Sequence, residues 1–310
     1  MSARPHLLVT DPAHFEVSYA INPWMRPGAW GEDPRAHALA ARASLETLVA
    51  ALEAAGARVE ALAAAPGLPD LVFPANAAVV LNGKAMMARF RCPERQGEEA
   101  VFTAAFERLR ARGVLSEVIE LPKGRFQEGA GDAIWDATRQ FFWVGYGPRS
   151  DARSPATIAE VFGQEVVALE LAMEEFYHLD TCFLALSGGE VIFYPPAFTP
   201  AARARIRAHV APDKLFEATA EDANAFCINA VNIDRQVVMA SATQGLRALM
   251  ARLGYALTEV DLSPFILSGG AAYCMSLRLD RRSDPQARTQ TAQSQTQAQE
   301  PARHDVLVGS

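Results

Sequence analysis

No stretch of this 310-residue chain approaches the roughly 18 apolar residues that a membrane helix needs. Its start, MSARPHLLVTDP, lacks the apolar core of a secretion signal. A cytoplasmic protein without a membrane partner is expected. Cysteine is scarce: Cys92, Cys182, Cys227 and Cys274 are widely spread and form no CxxC pair, which argues against a disulfide framework or a zinc ribbon. Positive charge is in deficit as well, with 29 Lys+Arg against 36 Asp+Glu, so nothing suggests a nucleic-acid surface. The longest basic feature, RLDRR at 278–282, is interrupted by two residues and adjoins a polar tail. What the chain has in quantity is apolar surface, half of all residues, enough for one large or two modest domains.

Helix-like and strand-like segments alternate. Residues 36–55 carry Leu39, Leu45, Leu48, Val49 and Leu52 at helical spacing and end at Gly56, where a C-cap belongs. A short strand at 58–62 follows. The same cadence returns at 98–112 with 115–121, at 200–209 with 215–217, and at 242–253 with 256–260. Short apolar strands at 77–81, 141–144, 182–186, 191–193 and 237–239 lie between, some beside turn pairs such as Asn82-Gly83 and Gly188-Gly189. Strands, a helix and a strand, repeated, suggest a radially or linearly repeating architecture. From Ser283 onward Gln, Thr, Ala and Ser dominate, a composition that buries too little to offset its ordering entropy; 283–310 reads as a disordered tail.

Three local patterns carry chemistry. Ser268-Gly-Gly-Ala-Ala-Tyr-Cys274 is a small-residue loop leading into a strand; it offers Cys274 the access a nucleophile needs, whereas Cys182 and Cys227 lie in apolar runs that suit inert packing. His178 and Asp180 are two residues apart and share a face if the stretch is extended, although a partly buried histidine at a strand start would look the same. Gln127-Glu128-Gly-Ala-Gly-Asp132 brings two carboxylates into one turn, which suits a guanidinium and equally an ordinary solvated turn.

Taken in order, the EGxGD turn at 128–132, the HxD at 178–180 and the GG…CM loop at 269–275 resemble the guanidine-modifying superfamily of arginine deiminases, dimethylargininases and amidinotransferases, over about residues 5–280. The resemblance implies an α/β fold, the pentein five-bladed propeller of ββαβ units, here as one catalytic domain at 1–282. Within the superfamily, the run from Phe15 through Asn22-Pro-Trp-Met25, the segment Phe73-Pro-Ala-Asn76, and Ser268-Gly-Gly-Ala look most like arginine dihydrolases, which take arginine to ornithine, ammonia and carbon dioxide. Deiminases and dimethylargininases typically carry Asp where Asn76 stands. An amide can donate and accept, so it tolerates a neutral ureido group as well as a guanidinium.

The resemblance further implies that Cys274 is the nucleophile, His178 the general acid and base, and Glu128 the carboxylate that polarises His178. Asn22, Asn76, Arg95, Arg149, Asp180 and Asn229 become substrate-binding candidates, with Arg95 and Arg149 on the substrate α-carboxylate and Asp180 on the guanidinium. Arg89 and Arg91 are alternatives to Arg95. The implied partner is a small guanidino substrate, with no metal and no cofactor; a homo-oligomer is left open. Citrulline-forming deiminase or dimethylargininase activity, amidino transfer to an amine, and a non-catalytic binding member are the competing readings.

Overall fold

The computed structural model describes residues 4–284. They form five three-stranded sheets arranged as blades of a ring. In each blade an inner strand runs antiparallel to a middle strand, and the middle strand pairs in parallel with an outer one. A parallel pair needs a crossover, and a helix supplies it every time. The second blade is Ala78–Leu81, Lys84–Met87, helix Glu98–Ala111 and Glu117–Ile119. The third is Ala133–Asp136, Phe141–Tyr146, helix Ser154–Phe162 and Val166–Glu170. The fourth is Phe183–Ala185, Val191–Phe193, helix Pro200–His209 and Leu215–Glu217. The fifth is Val231–Ile233, Gln236–Met239, helix Gln244–Arg252 and Ala256–Glu259.

The first blade closes the ring from both chain ends. Its middle strand His6–Thr10, helix Pro34–Ala54 and outer strand Arg58–Leu62 come from the N-terminal part, while its inner strand, Leu277–Arg278, comes from beyond the fifth blade. Leu8 faces Leu277 and Leu7 faces Arg278 across the antiparallel join. Middle strands are buried on both faces, so they read as continuous apolar runs such as HLLVT and VIF rather than as alternations.

Local chemistry explains most boundaries. The helix expected at 36–55 begins at Pro34, because the Asp33 carboxylate accepts the Ala36 N–H at 3.0 Å and Pro34 needs no donor partner there. Thr199 and Thr243 cap their helices in the same way. The inner-to-middle hairpins turn on residues with positive φ: Asn82 and Gly83, Gln140, Gly189, and Asp234. The strand expected at 115–121 is only Glu117–Ile119. Helix Ser154–Phe162 and the inner strands Ala133–Asp136 and Val231–Ile233 escaped the sequence reading because each is too short to show a period. Of the tail expected from 283, only Ser283 and Asp284 are described; Ser283 exchanges two 2.8 Å hydrogen bonds with Asn82. The rest lies outside the described residues.

Candidate active site

A short turn precedes every inner strand, and the candidate residues sit on these turns. Asn76 lies two residues before its strand, Asp132 one, Asp180 three, Asn229 two and Cys274 three. Five blades therefore aim five polar side chains at one end of the ring axis, although about 50 residues separate each from the next in sequence.

Cys274 is buried, with Sγ 3.1 Å from Asp180 Oδ2 and 3.1 Å from Asn229 Nδ2. Asn229 Oδ1 also accepts the N–H groups of Ala271 and Cys274, so this one amide holds the nucleophile loop in place. Burial and the neighbouring carboxylate push the thiol well above its usual range. Burial likewise raises Asp180, to about 7. Both shifts favour the protonated forms, so a proton is held along the Sγ–Oδ2 contact. Asp180 Oδ1 is buried and has no hydrogen-bond partner, which leaves an acceptor beside the sulfur for an incoming N–H.

His178 donates from Nε2 to Glu128 Oε2 at 2.8 Å, and its Nδ1 lies 3.4 Å from Asn76 Nδ2. Glu128 is fully buried; its other oxygen accepts the Arg91 N–H, and Arg149 Nη1 stands 3.1 Å from Oε2. Burial would raise this carboxyl, but Arg149 and His178 hold it well below the usual carboxylate range. The two side chains of HxD would share a face only if the stretch were extended. Instead Leu179–Thr181 is a tight 3₁₀ turn, which sends His178 to Glu128 and Asp180 to Cys274. The EGxGD turn is buried, not solvated: Asp132 accepts the Leu179 N–H at 3.0 Å and the Ser150 hydroxyl at 2.6 Å, joining the third and fourth blades.

Asn22 donates from Nδ2 to Ser268 O and accepts the Trp24 N–H, docking the N-terminal run on the nucleophile loop. Arg149 donates to Ile21 O and lies 4.8 Å from the Tyr177 ring centre. Asn22, Arg149 and Tyr177 also line an open cavity of about 680 Å³ with Cys92. Cys274, His178, Glu128 and Asp180, each at most 2 % exposed, are not among its walls. Arg95 is placed differently from Arg149. It forms a two-pronged pair with Glu98 at 2.9 and 2.8 Å, donates to Asn76 Oδ1 at 2.8 Å and to Asp70 O, and lies over the Phe90 ring. Its charge is met by Glu98, so it stands behind Asn76 as that residue's support. Arg89 and Arg91 spend their side chains on backbone carbonyls.

Glu98, Asp132, Ser150, Tyr177 and Asp70 complete the cluster; of these the sequence pointed to Asp132 alone, within the acidic turn. Asp70 accepts from Ser268, 198 residues away, and Tyr177 from its own turn donates to Gly269 O at 2.6 Å. Only Asp132 carried a local signal, as the last letter of EGxGD. Among the described residues no group of three or more His, Cys, Asp or Glu side chains converges as a metal site. Among the described residues no helix is long and apolar enough to cross a membrane.

A family model described as N,N dimethylarginine dimethylhydrolase, eukaryotic, matches residues 11–280. The chain is 39 % identical over 273 residues to the bifunctional arginine dihydrolase/ornithine cyclodeaminase ArgZ of Synechocystis sp., covering 88 % of this chain and 37 % of that protein. It therefore spans well under half the length of that relative. It is 36 % identical over 271 residues to the N(G),N(G)-dimethylarginine dimethylaminohydrolase of Mycobacterium tuberculosis, covering 87 % and 84 % of the two chains. Among solved structures, the product-bound N-terminal domain of ArgZ superposes with a TM-score of 0.85 at 38 % identity, covering 91 % of this chain and 100 % of that one. A dimethylarginine dimethylaminohydrolase superposes at 0.72 with 20 % identity and shares the fold. The ring of five ββαβ blades is the pentein propeller, and the chain belongs to the N,N-dimethylarginine dimethylhydrolase family of guanidine-modifying enzymes.

Proposed function

We propose that this protein is an arginine dihydrolase that hydrolyses the guanidino group of free arginine twice, through adducts on Cys274, to give ornithine. The observation that carries the proposal is the pairing of Cys274 with Asp180, whose second oxygen is buried without a partner. A guanidinium seated there supplies the missing N–H and a positive charge that stabilises the thiolate, so the thiol gives up its proton and that proton passes to His178. The thiolate then attacks the guanidino carbon, forming a C–S bond and a tetrahedral adduct. His178 protonates the departing nitrogen, ammonia leaves, and a thiouronium remains on Cys274. His178 next takes a proton from water, the hydroxide adds to the same carbon, and the C–S bond breaks to release citrulline. In the second cycle attack on the ureido carbon expels ammonia, and hydrolysis of the resulting S-carbamoyl adduct yields the carbamate of ornithine, which loses carbon dioxide.

Asn76 supports two cycles over one. Arg95 takes its oxygen and thereby turns its NH₂ toward His178 and Glu128 O, so a neutral amide, not a second carboxylate, faces the substrate. A neutral ureido group then loses little relative to a guanidinium. The solved domain of ArgZ, from a protein named as an arginine dihydrolase, is similar over nearly the whole described chain. Arg149, at the cavity wall, is the clamp for the substrate carboxylate.

Mass spectrometry of products from arginine, citrulline, methylated arginines and agmatine tests the proposal. One ornithine and two ammonia per arginine are expected. With Asn76→Asp the added charge favours the cation, so citrulline accumulates as end product. Wild-type protein that stops at citrulline, or that releases methylamines from methylarginines in preference, overturns the dihydrolase reading; arginine consumed only in the presence of an acceptor amine makes it an amidinotransferase.

A further inference from the structure

The inner strands enclose a channel, and the candidate active site takes up only the end at which those strands begin. Where they finish, a cavity of about 430 Å³ opens between Asp136, Leu184, Asn232, Tyr273 and Arg281. It narrows inward past Trp135, which with Tyr273 and Arg281 also lines the inner part. The basic run 278–282, which the chemistry above does not use, ends up here.

The ion pairs around this cavity leave Arg281 out. Arg278 is matched by Asp280 at 2.9 and 3.3 Å, and Asp136 by Arg139 at 2.8 Å. Arg281 has no ion pair and no side-chain hydrogen bond among the described residues; its backbone carbonyl alone is engaged, by Asn82 and Arg282. Burial and the nearby Arg278 press its guanidinium below the usual arginine range. In the same wall the buried Nε1–H of Trp135 has no acceptor. The wall carries Asp136, Asp234 and Asp280 against Arg278, Arg281 and Arg282, but Asp136 and Asp280 are engaged by Arg139 and Arg278, so among the described residues no carboxylate is paired with Arg281. A partly buried cation without an ion pair, beside a buried donor without an acceptor, offers both to a negative group.

We propose that this end of the channel binds a small anion of carboxylate or phosphate chemistry, held by the Arg281 guanidinium with the Trp135 N–H as second donor. A planar fork suits either group. The cavity volume falls within the range of small-molecule sites. Tyr273 links the two ends of the channel: it precedes Cys274 and its hydroxyl donates to Ala130 O in the Glu128–Asp132 turn at 3.4 Å. The occupant thus sits behind the nucleophile, in a place distinct from the substrate cavity.

Thermal unfolding of the full chain in sodium phosphate or sodium succinate, against sodium chloride at equal ionic strength, tests this. A saturable rise in Tm is expected with at least one of the two; phosphate alone or succinate alone identifies the chemistry. Arg281→Gln should weaken that binding about tenfold or more, Arg281→Lys by less, and Trp135→Phe by a smaller factor. In chloride, Arg281→Gln should keep or raise Tm, since it removes an unmatched charge; a loss there would mark Arg281 as a structural residue and overturn the proposal. So would the absence of a saturable rise with either salt, a rise unchanged in Arg281→Gln, or one that saturating arginine abolishes in Cys274→Ala.

Discussion

Cys274 shows how a burial that would disable a lone thiol can serve a reaction with a cation. In the substrate-free site the sulfur is protonated, because burial and Asp180 both oppose the thiolate. Under the proposed reaction, nucleophilicity depends on the positive charge of the substrate. Cys274→Ala is expected to lower turnover at least about 1000-fold with little change in Tm, since Asn229 still holds the loop through backbone N–H groups. Cys92→Ala should keep measurable activity in the same assay. Arg149 makes a second residue-scale test. Its truncation removes a charge-assisted contact to a carboxylate, so KM for arginine should rise about 10- to 100-fold. KM for agmatine, which has no carboxylate, should change by less than about threefold, while kcat falls on both because Glu128 loses its cationic neighbour. Equal KM effects on the two substrates would remove Arg149 from the clamp.

Among the elements, the turns before the inner strands do more than connect. The Glu128–Asp132 turn touches the Asn76 turn so closely that a Cβ on Gly131 would lie 2.3 Å from Asn76 Nδ2 and 3.4 Å from His178 Nδ1. One on Gly129, where φ is +66°, would lie 2.5 Å from Ala75 O. The two glycines of EGxGD are therefore there for close approach of neighbouring turns. Gly131→Ala should push Asn76 and His178 out of register and cost about 100-fold in kcat with a modest loss of Tm, as misplacement of reacting groups by about 1 Å does. A kcat within a few-fold of wild type, measured on arginine, would show that the turn can shift without disturbing the site.

At the scale of the whole molecule, carboxylates buried between blades couple stability to pH with opposite signs. Asp132, which ties the third blade to the fourth, is pushed up by burial to about 6 from its ordinary 3.8. The folded state then binds a proton that the unfolded chain has already released, so this group stabilises most below about pH 4, and its contribution is lost as pH rises through 6. Glu128 runs the other way: Arg149 and His178 hold it low, and its contribution is lost as pH falls below the ordinary carboxylate range. Asp132→Asn keeps an acceptor for Leu179 and removes the titration. Between pH 4 and 7 the unfolding free energy of wild type should fall more steeply than that of the variant, by roughly 2–3 kcal/mol. Urea denaturation across that range measures the difference; parallel curves would mean that Asp132 stays ionised in the fold.

The sequence by itself determined the cadence of helix and strand, because apolar periodicity and capping residues such as Thr199, Thr243 and Gly56 act within a few neighbours. It also marked Cys274, His178, Glu128 and Asp132, since each sits in a short pattern of glycines and polar residues that local turn geometry requires. Tertiary structure decided the pairing of those residues. Cys274 meets Asp180 and Asn229, and His178 meets Glu128, only because five turns separated by about 50 residues each converge on one axis, and no local interaction encodes that closure. The same convergence placed Arg95 behind Asn76 with Glu98 as its counter-ion, whereas the resemblance put it on the substrate carboxylate with Arg149, with Arg89 and Arg91 as alternatives to it. It also turned the interrupted basic run 278–282 from a surface stretch into the wall of a channel, where the neighbouring carboxylates Asp136 and Asp280 pair with other arginines and none pairs with Arg281.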